Sequence, residues 1–178
     1  MQLLKRWIGK IGAKVLGLNK NIIIMLDIKP FKQTSGMCGP AALKMVLEYF
    51  GVKKSEKELG QLTHCSPDRG TEAEDIVEAA EQLGFSGLIK DMADFNDIRE
   101  YLEKETPVIV DWFSENEGHY SVVVSIDEEN IYLQDPEIGG IRKLPLKTFK
   151  RIWFDFPDAF IKSKNDLILR RMIVIQKT

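Results

Sequence analysis

Four residues of this chain could together carry out nucleophilic chemistry: Cys38, His119, Asp135 and Gln33. Cys38 lies in Gln33-Thr34-Ser35-Gly36-Met37-Cys38-Gly39-Pro40-Ala41-Ala42, where a glycine-bearing loop turns into a helix. Pro40 fits the first helical turn, because the N–H it lacks would find no intrahelical partner there. A sulfur at that place meets unpaired backbone N–H groups and the positive end of a helix dipole, which favour the thiolate. The thiolate is the form that attacks. Taken alone, a cysteine beside a helix is more often a small buried hydrophobe, so the rest of the chain must supply a base and an acid to orient it.

A hairpin supplies both. The β-branched run Tyr120–Ile126 leads into the turn Asp127-Glu128-Glu129-Asn130, and Ile131–Gln134 returns antiparallel to Asp135-Pro136. Folding the chain about that turn sets His119 opposite a position between 135 and 139. His119 and Asp135 are then facing or diagonal neighbours at the open end of the hairpin. Pro136 holds Asp135 extended. A carboxylate there can bind one imidazole nitrogen, fix the tautomer and leave the other nitrogen for a nucleophile. Gln33, in the loop before Cys38, could aim its amide N–H at a developing oxyanion beside the backbone N–H of Cys38. Singly, each has a duller reading: a strand-edge histidine, a turn-forming Asp-Pro, a surface amide.

The elements that must position these groups are legible in part. Leu43, Met45, Val46, Leu47 and Phe50 give the Cys38 helix a buried face, and Gly51 is a plausible end cap. Ser55-Glu56-Lys57-Glu58 is a capping box opening a helix to Thr63, and Thr71-Glu72-Ala73-Glu74 is a second one, starting a helix that ends at Gly84. A strand over 86–89 follows, then a helix capped by Asp94. Pro107–Trp112 reads as a central strand, 141–144 as another, 147–153 as a short helix, and 159–161 and 167–175 as strands. Upstream, Leu4, Trp7, Ile8, Ile11, Val15 and Leu18 recur at helical spacing, predicting an amphipathic helix over 3–18, and 21–28 reads as a strand. His64-Cys65 invites a metal reading, but no second Cys or His lies nearby, and a closed zinc site takes four ligands; the pair reads as loop, and no metal is expected.

Length and composition exclude several classes. A chain of 178 residues suits one domain with a core. Hydrophobic residues at 44% and charged ones at 29% fit a globular protein. A net charge of −2 gives no reason to expect a nucleic-acid partner. Two cysteines make no disulfide framework, which suits a reducing compartment, and no apolar run is long enough to span a membrane. A cytoplasmic location is expected. Residues 1–26 carry Lys5, Arg6, Lys10, Lys14 and Lys20 and no acid. Residues 1–20 are therefore read as a basic extension that packs on its own domain or docks on an anionic membrane surface or a partner, and 21–178 as a single domain.

Gln33, Cys38-Gly39-Pro40-Ala41-Ala42-Leu43, Tyr49-Phe50-Gly51, Gly70-Thr71, Gly84-Phe85, Pro107-Val108-Ile109-Val110, Gly118-His119-Tyr120 and Asp135-Pro136 together resemble the bacteriocin-processing cysteine peptidases. These are papain-like enzymes that cut leader peptides after a double glycine. The resemblance implies an α+β fold in which the cysteine-bearing helix packs on an antiparallel sheet. It further implies a peptide or protein substrate and no cofactor. On it, Cys38 would be the nucleophile, His119 the general base and later acid, Asp135 the orienting residue and Gln33 the oxyanion donor. Family members best known for leader cleavage are fused to a transporter, whereas this chain ends soon after the peptidase region, which leaves the double-glycine substrate open. Two other readings share the fold: a catalytically idle peptide-binding domain, and an acyl transferase that passes the acyl unit to an amine.

Overall fold

The computed structural model describes residues 13–16, 23–66, 70–115, 117–157 and 160–178. Its frame is a six-stranded antiparallel sheet in the order β3-β10-β4-β5-β6-β7. These strands are β3 (Phe85–Lys90), β4 (Val108–Ser114), β5 (Glu117–Ile126), β6 (Asn130–Asp135), β7 (Gly140–Pro145) and β10 (Arg171–Lys177). The central strands earn their place by composition. Val108, Ile109, Val110, Val122, Val123, Ile173 and Val174 are buried β-branched residues that fit a pleated surface covered on both sides. Helix α1 (Cys38–Tyr49) packs along β5, α3 (Ala73–Gln82) across β3 and β10, and α4 (Phe95–Glu103) and α5 (Leu146–Ile152) beside the β4–β7 half. Helix α2 (Glu56–Leu62) leans on α1.

The helix boundaries follow local chemistry. Helix α1 ends with Gly51 at φ +88, where its N–H reaches the carbonyl of Glu48 and the Val52 N–H that of Leu47, as a glycine end cap should. The Ser55/Glu58 and Asp94/Asp97 capping boxes both form. The box expected at Thr71 does not. Helix α3 starts one residue later with Glu72 as its cap and no side-chain cap bond. Thr71 is used for packing instead, so close to Gly39 that a Cβ there would lie 2.7 Å from the Thr71 Cβ.

Other expectations change. Residues 13–16, placed within a helix by periodicity, form strand β1 (Ala13–Leu16), paired antiparallel with β2 (Ile23–Leu26) in a separate two-stranded sheet. Gly12 and Gly17 flank that strand, and glycine weakens a helix at both ends of the segment. The rest of the 3–18 pattern lies outside the described residues. Phe160 and Ile161 form no strand; β8 (Phe154–Asp155) pairs with β9 (Ile168–Leu169) instead. The run 167–175 is broken at Arg170, whose φ of +50 separates β9 from β10. Its N–H binds the carbonyl of Trp153 and its Nε that of Ala93. Among the described residues no helix is long and apolar enough to cross a membrane.

Candidate active site

Cys38 is the first residue of α1, with Met37 as its cap and no side chain bonded to the helix start. The first intrahelical bond runs from the Ala41 N–H to the Met37 carbonyl at 2.9 Å, and Pro40 has no N–H to satisfy. Among the described residues the N–H groups of Cys38 and Gly39 have no backbone partner, and they lie at the positive end of the helix. Gly39 lets Thr71 approach the turn closely. Behind this turn Ala41, Ala42, Leu43, Met45, Val46 and Leu47 are buried, which fixes the helix axis.

His119 lies within β5 rather than ahead of it, paired with Trp112 across the β4–β5 ladder. The β5–β6 register sets Val122 opposite Gln134, so Asp135 is diagonal to His119 on one face of the hairpin. The contact is made: His119 Nε2 is 2.8 Å from Asp135 Oδ1, with the side chains only 5% and 0% exposed. With Nε2 committed, Nδ1 remains for Cys38, the neighbouring thiol whose charge acts on the ring. Burial alone would push the imidazole pKa down. The hydrogen bond the ring donates to Asp135, the neighbouring Cys38 sulfur and the charges of both outweigh it and raise the pKa to about 9.

Asp135 is held by more than the histidine. Its Oδ1 also accepts the Glu137 N–H at 2.9 Å, and its Oδ2 accepts the Nε of Arg142. Burial raises the carboxyl's pKa, but the bond and charge of His119, then Arg142 and the Glu137 N–H, bring it below its ordinary value. Arg142 gives a second bond to Glu137 Oε2 at 2.9 Å and lies 5.7 Å over the Trp112 ring. The same ring meets His119 edge-on at 5.6 Å, and its Nε1 donates to Ser121 Oγ at 3.1 Å. Arg142 and Trp112 thus box in the His–Asp pair. His119, Asp135 and Glu137 offer atoms within 4.8 Å that a metal could use, but the guanidinium already occupies one carboxylate oxygen of each acid.

Gln33 is tied to this end of the sheet through its backbone, whose N–H donates to the Pro136 carbonyl at 2.9 Å. Its Oε1 is buried and accepts no bond among the described residues. All four predicted residues therefore converge on the junction of α1, β5 and β6. His64 and Cys65 stand apart. They line an open depression of about 580 Å³ between α2 and the loop before Cys38, which none of those four residues borders. Sequence reading missed Arg142, although the turn at Gly139-Gly140 pairs Asp135 with Gly140 and sets Arg142 two residues on, along the same face.

Similarity to known proteins agrees with this geometry. Residues 28–157 match the Peptidase C39 family. An uncharacterized protein of Methanothermobacter marburgensis is 37% identical over 128 residues, covering 66% of this chain and 83% of the relative. The lactococcin-G-processing and transport ATP-binding protein LagD of Lactococcus lactis is 30% identical over 126 residues, covering 69% of this chain and 17% of LagD. The crystal structure of the peptidase domain of Streptococcus ComA, a bifunctional ABC transporter of a quorum-sensing pathway, superposes with a TM-score of 0.67 at 25% identity, covering 85% of this chain and 99% of that domain. From the family match and the papain-like fold it shares with that domain, the chain belongs to the Peptidase C39 family.

Proposed function

We propose that the chain is a cysteine peptidase that cleaves peptide bonds through an acyl-enzyme at Cys38. The observation that carries this is the 2.8 Å His119–Asp135 contact, sealed from water and backed by Arg142. Asp135 holds the imidazole by Nε2, and Nδ1 takes the Cys38 proton, so that sulfur and ring form a thiolate–imidazolium pair. The sulfur attacks the scissile carbonyl. The oxyanion that develops is received by the Cys38 N–H and the Gln33 amide. The protonated His119 then gives its proton to the leaving amine, and a water activated by the same nitrogen releases the acyl group as a carboxylate. An imidazole pKa of about 9 suits the acid half of this cycle, because the ring is protonated when the amine departs.

The substrate best supported is a leader peptide ending in two glycines, by family membership and by the name of LagD, which processes lactococcin G. Residues 1–20 would then serve as a docking segment outside a single domain formed by 21–178, and the reaction would take place on the cytoplasmic side. The test is a set of peptides with Gly-Gly and other small-residue junctions, incubated with the protein and with Cys38→Ala and analysed by mass spectrometry. Cleavage at one junction by the wild type, absent in the variant, is the expected result. Cleavage retained in Cys38→Ala would overturn the mechanism.

A further inference from the structure

A second group of side chains stands beside Cys38 and has no task in the mechanism above. Asp111 of β4 and Asp155 of β8 bring their carboxyls together. Tyr120 of β5 pairs with Asp111 across the ladder. Asp111 is 1% exposed, and its Oδ1 accepts no hydrogen bond from any described residue. Asp155 is only half-buried and forms the open wall of the group. It crowds Gly118, the residue before His119, so tightly that a Cβ there would overlap its carboxylate. Only glycine leaves room for this acid next to the catalytic histidine.

Tyr120 is independent of the acids and makes the same point. It is 7% exposed and feels the charges of Asp111, Cys38 and Asp155, yet its hydroxyl makes no hydrogen bond among the described residues. A buried carboxylate oxygen without a partner is costly unless something polar visits it, and the Tyr120 hydroxyl, with no bond of its own, stands on the neighbouring strand. The local charge says what would. Glu72, at the start of α3, adds to the negative field at Asp155. The cation that acts on both carboxyls, Arg171, is committed to Asp91 by two bonds of 2.7 and 3.0 Å. Burial, and for Asp111 also its neighbour Asp155, raises the pKa of both carboxyls.

We propose that Asp155, Asp111 and Tyr120 form a subsite beside Cys38 that receives the ammonium or guanidinium group of a basic residue flanking the scissile bond of a peptide substrate. The peptide part of this statement rests on the proposed function; the cation part does not. An ammonium carries three donors and a positive charge, enough to serve Asp111 Oδ1, the Asp155 carboxylate and the Tyr120 oxygen together. Charge-assisted bonds in a site this dry are the strong kind.

Thiol modification tests the cation part without peptide turnover. Cys38 and Cys65 are treated with 2-aminoethyl methanethiosulfonate, which is cationic, and with neutral methyl methanethiosulfonate, and each rate is followed by mass spectrometry. The cationic-to-neutral rate ratio at Cys38 is expected to exceed that at Cys65 by about tenfold or more, the size of a charged hydrogen bond. In Asp155→Asn that excess should disappear. Equal ratios at the two cysteines of the wild type overturn the proposal, and so does an excess that survives Asp155→Asn. The wild-type comparison decides even where the variant does not fold. Slow reaction of Cys38 with both reagents would count against the thiol chemistry of the proposed function while leaving the ratio readable. Protection from iodoacetamide then identifies the source of the cation. A peptide with lysine next to Gly-Gly should protect Cys38 where its norleucine counterpart and free lysine amide do not. Equal protection by lysine amide would overturn the assignment to a peptide residue.

Discussion

The chain contains two cysteines and two histidines, and the fold places one of each in two different surroundings. His119 is 5% exposed and lies 2.8 Å from a fully buried carboxylate that two further groups hold. His64 is 58% exposed, sits in a left-handed turn at φ +48 and approaches Asp75 only to 3.5 Å. Cys38 opens a twelve-residue helix, while Cys65 follows the end of a seven-residue helix, its Sγ 3.4 Å from the Gly36 carbonyl and 3.6 Å from Met37 Sδ. The residue types are the same. What differs is burial and the rigidity of the acid behind the imidazole.

This contrast can be broken at five points. Cys38→Ala should abolish peptide cleavage in the mass-spectrometric assay, while Cys65→Ala should stay within about twofold of wild type. Asp135→Asn should lower kcat by about a thousandfold to ten-thousandfold with the fold retained by circular dichroism, and Asp75→Asn should leave kcat alone. Arg142→Met, which frees the outer oxygen of Asp135, should cost about tenfold to a hundredfold in kcat with little change in KM, since small displacements of catalytic groups are costly. Iodoacetamide at pH 7 should alkylate Cys38 at least about tenfold faster than Cys65, and His119→Ala should erase the difference.

The smallest effect is on stability. A His119 pKa raised from 6.5 to about 9 means that the folded state holds a proton the unfolded chain releases. That stabilisation is complete below pH 6.5 and is lost as pH rises through about 9. The melting temperature should therefore fall over that window, by on the order of 5 °C more in wild type than in His119→Asn. A matching fall in the variant would assign the trend to other groups, with Asp111 and Asp155 the first to consider because their raised pKa values act in the same direction.

What the sequence revealed of this contrast depended on range. The His119–Asp135 contact was legible because a short turn fixes the register of a hairpin, and the Cys38 helix because Pro40 and Gly51 mark its ends. Thr71 looked like a helix cap, yet Gly39, thirty-two residues away, claims it for packing. Ala13–Leu16 read as helix from its apolar spacing, and pairing with Ile23–Leu26 prevailed. Arg142 needed a second turn to be counted through. Asp155 could not have been found from spacing, because its neighbours Asp111 and Gly118 are reached through tertiary contact with β4 and β5.

The position of β10 has a consequence for how the chain folds as it is made. Residues 171–177 lie between β3 and β4, which precede them by more than fifty residues. A ribosome therefore releases the hairpin bearing His119 with one flank of β4 bare, and β3 has no strand to pair with until the late strand emerges. Cys38 and His119 are therefore synthesised well before the sheet that positions them can close. Maturation of the thiol should thus coincide with closure of the sheet, and a nascent chain stalled before residue 171 should react with iodoacetamide at Cys38 no faster than at Cys65.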